Sequence, residues 1–240
     1  MPEFDVIALD ADDTLWHNET IYVSTQQKFR KLLARYHPEE WIDKHLFETE
    51  MRNLEFYGYG IKSFTLSMIE TSVELSEGRI NGEEVKQILD FGREMMAKPV
   101  KVLDDVEGVL SKLSSSYTLM LITKGDLVDQ KSKLFRSGLE EYFDHVEIVS
   151  DKSTETYSAI LAKHFIEPDR FLMVGNSMRS DILPVIVAGG HAVYIPYPVT
   201  WAHETVREEE TNEHDYYQLK GIDQLPSLLD KLHPRQPRES

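Results

Sequence analysis

The chain has 240 residues, with 26 Lys and Arg against 42 Asp and Glu, a formal net charge of −16 at pH 7, and no cysteine. That charge argues against a nucleic-acid partner, because phosphate-backbone affinity comes from clustered Lys and Arg. The lack of thiols excludes disulfides, Cys-ligated zinc, iron–sulfur clusters and cysteine nucleophiles. No run of about 18 apolar residues occurs, and Met1-Pro2-Glu3-Phe4-Asp5 lacks the basic-then-apolar layout of a signal peptide, so no membrane partner and a cytoplasmic location are expected.

In chain order, the first expected strand covers residues 6–10, apolar and ending in acids. Residues 16–99 hold no convincing strand and several amphipathic helical patterns. Phe29, Leu32, Leu33 and Tyr36 form one stripe, and Trp41, Ile42, Leu46 and Leu54 a second. Asn81 with Glu84 three residues on is a capping-box signal opening a helix whose Val85, Ile88, Leu89 and Met95 point inward. This segment reads as a small helical bundle inserted into a second unit that resumes near Pro99.

Four further strands are expected at residues 118–123, 146–150, 171–175 and 192–196, all fully buried, with helical stretches between them. One of these helices carries Tyr157, Ile160, Leu161, His164 and Phe165 on one face. Alternating strand and helix predicts an α/β parallel sheet, Rossmann-like, formed by residues 1–15 and 100–240, with an all-helical insert at 16–99. The aromatic stretch from Tyr194 to His203 reads as a packed exit from the last strand. The run Glu208-Glu209-Glu210 reads as a solvated face, and residues 233–240 as a frayed tail. The nine histidines show no zinc spacing.

In an open parallel sheet, ligands bind beyond the carboxyl ends of the strands. Here those ends read Asp10-Ala11-Asp12-Asp13-Thr14, Thr123-Lys124-Gly125, Ser150-Asp151-Lys152 and Gly175-Asn176-Ser177-Met178-Arg179-Ser180-Asp181. Clustered carboxylates must repel, share a proton or hold a cation. A hard divalent ion such as Mg2+ suits Asp10 and Asp181 with a neutral oxygen from Asn176 or a backbone carbonyl. With that charge and Lys152 nearby, an anionic phosphate could approach a nucleophilic carboxylate.

Taken together, these four segments in order resemble the haloacid dehalogenase superfamily of hydrolases, and the match runs nearly the whole chain. The resemblance implies a core of strand order 5-4-1-2-3 with a helical cap inserted after the first motif. It also implies Asp10 as nucleophile, Asp12 as general acid and base, Thr123 and nearby backbone at the phosphoryl oxygens, and Lys152 beside the nucleophile. Asp10, Asp12, Asn176 and Asp181 form the expected metal set. Asn176 stands where the family often has an acid, and it could equally be a turn former. Lys124, Gly125, Trp16 and Lys62 are expected to touch substrate, Lys62 from the cap loop Gly58-Tyr59-Gly60-Ile61-Lys62.

Asp13 reads as a turn or capping residue, while Asp12 separates the readings within the family. A halide leaves without a proton and an alcohol does not, so an acid two residues after the nucleophile points to phosphate esters. The expectation is an Mg2+-dependent phosphatase of a small phosphorylated metabolite. A phosphomutase or phosphonate hydrolase with Lys62 in its chemistry, or a binding protein without turnover, is the alternative. Substrate identity and the choice between monomer and homodimer stay open.

Overall fold

The computed structural model describes residues 4–199, 201–204 and 215–232. The start of the chain at residues 1–3, the acidic run at 208–210 and the tail at 233–240 lie outside the described residues. No described helix is long and apolar enough to cross a membrane.

Strand β1 (Val6–Leu9) is flanked by β2 (Thr118–Lys124) on one side and β4 (Phe171–Gly175) on the other, both parallel to it, with Val6 level with Thr118 and Phe171. The sheet continues outward to β3 (His145–Val149) and, past β4, to β5 (His191–Tyr194) and a two-residue β6 (Tyr217–Gln218). The order is therefore 3-2-1-4-5-6, the expected order with one parallel strand added.

The pleat sorts the central strands into two apolar layers. Ile7, Leu9, Leu119, Leu121, Leu172 and Val174 face one side, with α5 (Val106–Ser114), α6 (Leu127–Ser137) and α9 (Leu225–Leu232) packed there through Val109, Leu134 and Leu229. Val6, Ala8, Met120, Ile122 and Met173 face the other, against α7 (Thr154–His164) and α8 (Leu183–Val187). Burial on both faces is why β1 and β4 read as unbroken apolar runs. The expectation of full burial fails for β3, which is an edge strand carrying Glu147 to Lys163 and His164. Phe165 is corrected too: it caps α7 in the left-handed region and is 95% exposed.

Between β1 and α5 lie α1 (Glu19–Leu33), α2 (Glu39–Tyr57), α3 (Ile61–Leu75) and α4 (Gly82–Ala97). They enclose their own apolar cluster of Phe29, Leu33, Ile42, Leu46, Met68 and Ile88. The capping box forms as read, Asn81 accepting from the N–H of Glu83 and Glu84 while Glu84 accepts from Asn81. Trp41 and Leu89 depart from their inward assignments, being 47% and 39% exposed. The two connections to the sheet run side by side: Leu103 N–H donates to Leu15 at 2.9 Å and His17 N–H to Lys101 at 3.0 Å. Trp16, placed at the start of the insert by the sequence, packs with the sheet core instead.

Candidate active site

All the strands are parallel, so their carboxyl ends share one edge, and the insert sits over it. Asp10 leaves β1 with its N–H still bonded to Val174, and its side chain is 10% exposed. The chain then turns sharply, with Leu15 N–H returning to Ala11 at 2.8 Å and Asp13 in the left-handed region at φ 63°. Asp13 accepts from the backbone N–H of Asn18 at 2.8 Å and of Glu19 at 3.0 Å, capping α1 as expected for a structural acid.

Lys152 is buried between two acids, its ammonium bonded to Asp10 Oδ1 and, at 2.7 Å, to Asp181 Oδ1. Burial pushes the Asp10 carboxyl up to about 7 against the pull of Lys152, while the two carboxylates hold the Lys152 ammonium well above the usual lysine value despite its burial. Asp181 lies on the single π-helical turn Met178–Ile182, and its Oδ2 accepts from Ser177 N–H at 3.0 Å. Gly175 makes room for it: a Cβ there would stand 2.3 Å from the Asp181 carboxyl.

A cation fits this corner. One terminal atom of the Asn176 amide is 3.1 Å from the Asp12 carbonyl oxygen, 3.1 Å from Thr14 Oγ1 and 3.2 Å from Asp10 Oδ2. With nitrogen there, Asn176 donates to all three. With oxygen there, the Thr14 hydroxyl donates to it while the Asp12 carbonyl and Asp10 Oδ2 face it as acceptors, a contact that a bound cation would relieve. Among the described residues no group of three acidic or histidine side chains suits a metal. The available set is two carboxylates, an amide and a carbonyl, which suits magnesium with water and phosphate oxygens completing the shell. Of Asp12, expected in the metal set, it is the backbone carbonyl that reaches this corner, because both its carboxylate oxygens are bonded elsewhere.

They turn toward α6. Lys133 Nζ lies 2.9 Å from each oxygen of Asp12, Gln130 Nε2 is 2.9 Å from Oδ2, and the Trp16 indole N–H is 2.6 Å from Oδ1. Trp16 is thus 1% exposed beneath the loop and does not line the cleft, correcting its assignment to substrate. Thr123 lines the cleft, its hydroxyl accepting from Gln130 at 3.0 Å. Gly125 lines it as well, but its N–H is taken by Val149. The Lys124 ammonium is bonded to Glu204, and to Ser180 at 2.9 Å.

Lys62 is corrected too. Gly58, Tyr59 and Gly60 reach the cleft, whereas the Lys62 ammonium turns aside to Asp126 at 3.0 Å and is half exposed. The lysine closes the insert onto the sheet domain as an ion pair. Of the stretch after β5, Trp201 and Glu204 line the cleft, so that segment is more than a packed exit.

Gln130, Lys133, Glu204, Glu19 and Glu50 were not singled out from the sequence. For the first two a signal existed. In α6 Asp129, Gln130 and Lys133 are buried along with Leu134, while Leu127, Val128 and Phe135 are more than half exposed. A helix whose polar residues, spaced by three and four, face inward marks a site rather than a core.

A parallel α/β sheet with carboxylates and a buried lysine at its carboxyl edge defines a hydrolase-type centre built on acid chemistry. The chain belongs to the haloacid dehalogenase-like hydrolase family, whose model matches residues 4–189. A haloacid dehalogenase-like family hydrolase from Xanthomonas campestris is 35% identical, with a TM-score of 0.85 over 98% of this chain and 95% of that one. Mouse N-acylneuraminate-9-phosphatase is 26% identical over 135 residues, 54% of this chain and 52% of that protein, so the match spans about half of that relative. Pyrimidine 5'-nucleotidase YjjG of Escherichia coli is 23% identical over 95% of this chain and 99% of its own. The fold is also shared with the putative hydrolase YfnB of Bacillus subtilis bound to magnesium, at 15% identity and a TM-score of 0.65 over 95% of this chain and 99% of that one.

Proposed function

We propose that the protein is a magnesium-dependent phosphatase that hydrolyses a small phosphorylated metabolite through a phosphoryl group carried on Asp10. The observation that supports this most is the pair Asp10 and Asp12, which line one cleft while facing different partners: Asp10 the cation corner, Asp12 the donors of α6. That division suits a nucleophile and a proton carrier. The phosphatase and nucleotidase names of these relatives add weight.

Magnesium bound among Asp10, Asp181, Asn176 and the Asp12 carbonyl would neutralise phosphate charge that these acids otherwise repel. An Asp10 oxygen bonds to phosphorus as the phosphorus–alcohol bond breaks, and protonated Asp12 delivers its proton to the departing oxygen. In the second half, Asp12 takes a proton from water as the water oxygen bonds to phosphorus and the aspartyl bond breaks, releasing inorganic phosphate. Lys152 opposes the burial that raises the Asp10 carboxyl and so favours its ionised form, and the Thr123 hydroxyl is placed to donate to a phosphoryl oxygen. The four inserted helices act as a cap that excludes water and contacts the leaving group. A mutase or phosphonate chemistry using Lys62 loses its candidate group to Asp126.

The test is release of phosphate from an aryl phosphate and a panel of phosphorylated metabolites, with and without magnesium, using Asp10→Asn as the blank. Magnesium-dependent release absent from the variant supports the reading. No release above the blank from folded protein overturns it.

A further inference from the structure

Most charged side chains along the cleft floor are already matched. Lys152 joins Asp10 and Asp181, Lys133 holds Asp12, and Lys124 holds Glu204. Asp126 has Lys62, and Asp13 has two backbone N–H groups. Two carboxyls of the inserted helices remain, Glu19 at the start of α1 and Glu50 within α2, both lining the cleft. Neither makes an ion pair among the described residues. A helix N-terminus gives Glu19 a structural reason to be acidic, but Glu50 sits mid-helix and has none. Glu50 is 9% exposed, with the Trp201 side chain as its hydrogen-bond partner. Burial first, then the charge of Glu19, pushes the Glu50 carboxyl up to about 8. Burial and the neighbouring Asp13 push Glu19 up to about 7.

The walls around these two acids carry an independent sign. Tyr22, Tyr59, Phe64 and Trp201 line the same cleft. Aromatic faces attract cations, and the Tyr59 ring already carries one, the Lys124 ammonium 4.2 Å from its centroid. Gln130, only 3% exposed and also lining the cleft, keeps an amide oxygen with no hydrogen-bond partner. A buried and a half-buried acid without a cation, aromatic faces and an unused acceptor all complement an N–H-bearing positive group. The lysines among the described lining residues, Lys124, Lys133 and Lys152, are all engaged, so a leaving group bearing its own carboxylate meets no free cation there.

We infer that the leaving-group half of the cleft selects phosphate monoesters whose alcohol carries an ammonium group, with Glu50 and Glu19 receiving that ammonium against the Tyr22 and Trp201 walls. This rests on the phosphatase reading and adds the substrate class to it.

The experiment compares kcat/KM for 2-aminoethyl phosphate, 2-hydroxyethyl phosphate, phosphoglycolate, uridine 5'-monophosphate and p-nitrophenyl phosphate, at neutral pH with magnesium. The aminoethyl ester is expected to exceed the hydroxyethyl ester by about tenfold or more, with phosphoglycolate the poorest of the three two-carbon esters. In Glu50→Gln, and separately in Glu19→Gln, the ratio of aminoethyl to hydroxyethyl ester should fall several-fold toward one. Hydrolysis without that preference, faster turnover of the nucleotide, or a ratio unchanged in both variants overturns the inference while leaving a phosphatase. No turnover of any ester, p-nitrophenyl phosphate included, overturns the phosphatase reading and the inference with it.

Discussion

The indole N–H of Trp16 donates to Asp12 Oδ1 at 2.6 Å, so a core tryptophan four residues along the same loop aims the proposed proton carrier. Trp16 itself is locked by the antiparallel bridge to Val102 in the returning connection from the insert. Trp16→Phe keeps most of the ring volume and removes only the donor. The expected outcome is a fall in kcat of about tenfold or more, with KM changed less than about threefold. Steady-state kinetics on an aryl phosphate checks it, and a loss confined to KM would refute the positioning role.

Asp10 and Asp13 are three residues apart and face opposite tasks. Asp10→Asn should abolish turnover, because an amide is a poor nucleophile, while Asp12→Asn should cost on the order of 10²–10⁴-fold. Asp13→Asn retains an oxygen able to accept from Asn18 and Glu19 N–H, so most activity should survive. Equal losses at Asp10 and Asp13 would overturn the assignment of roles.

Lys152 compensates two buried acids at once. Lys152→Met would leave Asp10 and Asp181 facing each other without it, a change that typically costs about 3–5 kcal/mol when one partner of a buried pair is removed. Magnesium should raise the melting temperature of the wild-type protein, since a ligand of the native state stabilises it by mass action. Asp181→Asn should abolish most of that rise. Calorimetry with and without magnesium reads both, and a rise unchanged in Asp181→Asn would place the ion elsewhere.

Glu204 is mostly buried against Lys124, Ser177 and Ser180, and Lys124 with these hydroxyls holds its carboxyl down to about 2. For a carboxyl lowered on folding, the stabilisation is present above the unfolded value near 4.5 and fades as pH falls from there toward 2. Glu204→Gln should therefore destabilise by on the order of 2–3 kcal/mol at pH 7 and by clearly less near pH 3. Urea denaturation of both proteins at the two pH values measures the difference, and a gap that does not shrink would refute the charge-based account.

The sheet and the acids at its edge were legible in the sequence because both are local facts. Buried parallel strands must be apolar runs, and the residues that end them must lie together once the strands are parallel. The sequence alone therefore places Asp10, Asp12, Thr123, Lys152, Asn176 and Asp181 at one edge. The side-chain partners were not local. Lys62 and Lys133 are both helix lysines near the cleft, and nothing in their neighbours along the chain says that one pairs with Asp126 and the other with Asp12.

By itself the sequence determined a parallel sheet, the position of the helical insert and the acidic strand ends, since these follow from period, burial and connection rules acting over a few residues; the strand order came from the family resemblance, and the sixth strand only from the structure. Only the tertiary structure decided the contents of the cleft's upper half. Glu50 on α2, Trp201 beyond β5 and Gln130 on α6 come from segments far apart in the chain, and their meeting depends on how the insert's helices lie across the sheet. The reaction centre is carried by strand ends whose geometry the sheet imposes. The leaving-group pocket is carried by packing between separate units, which no short-range pattern encodes.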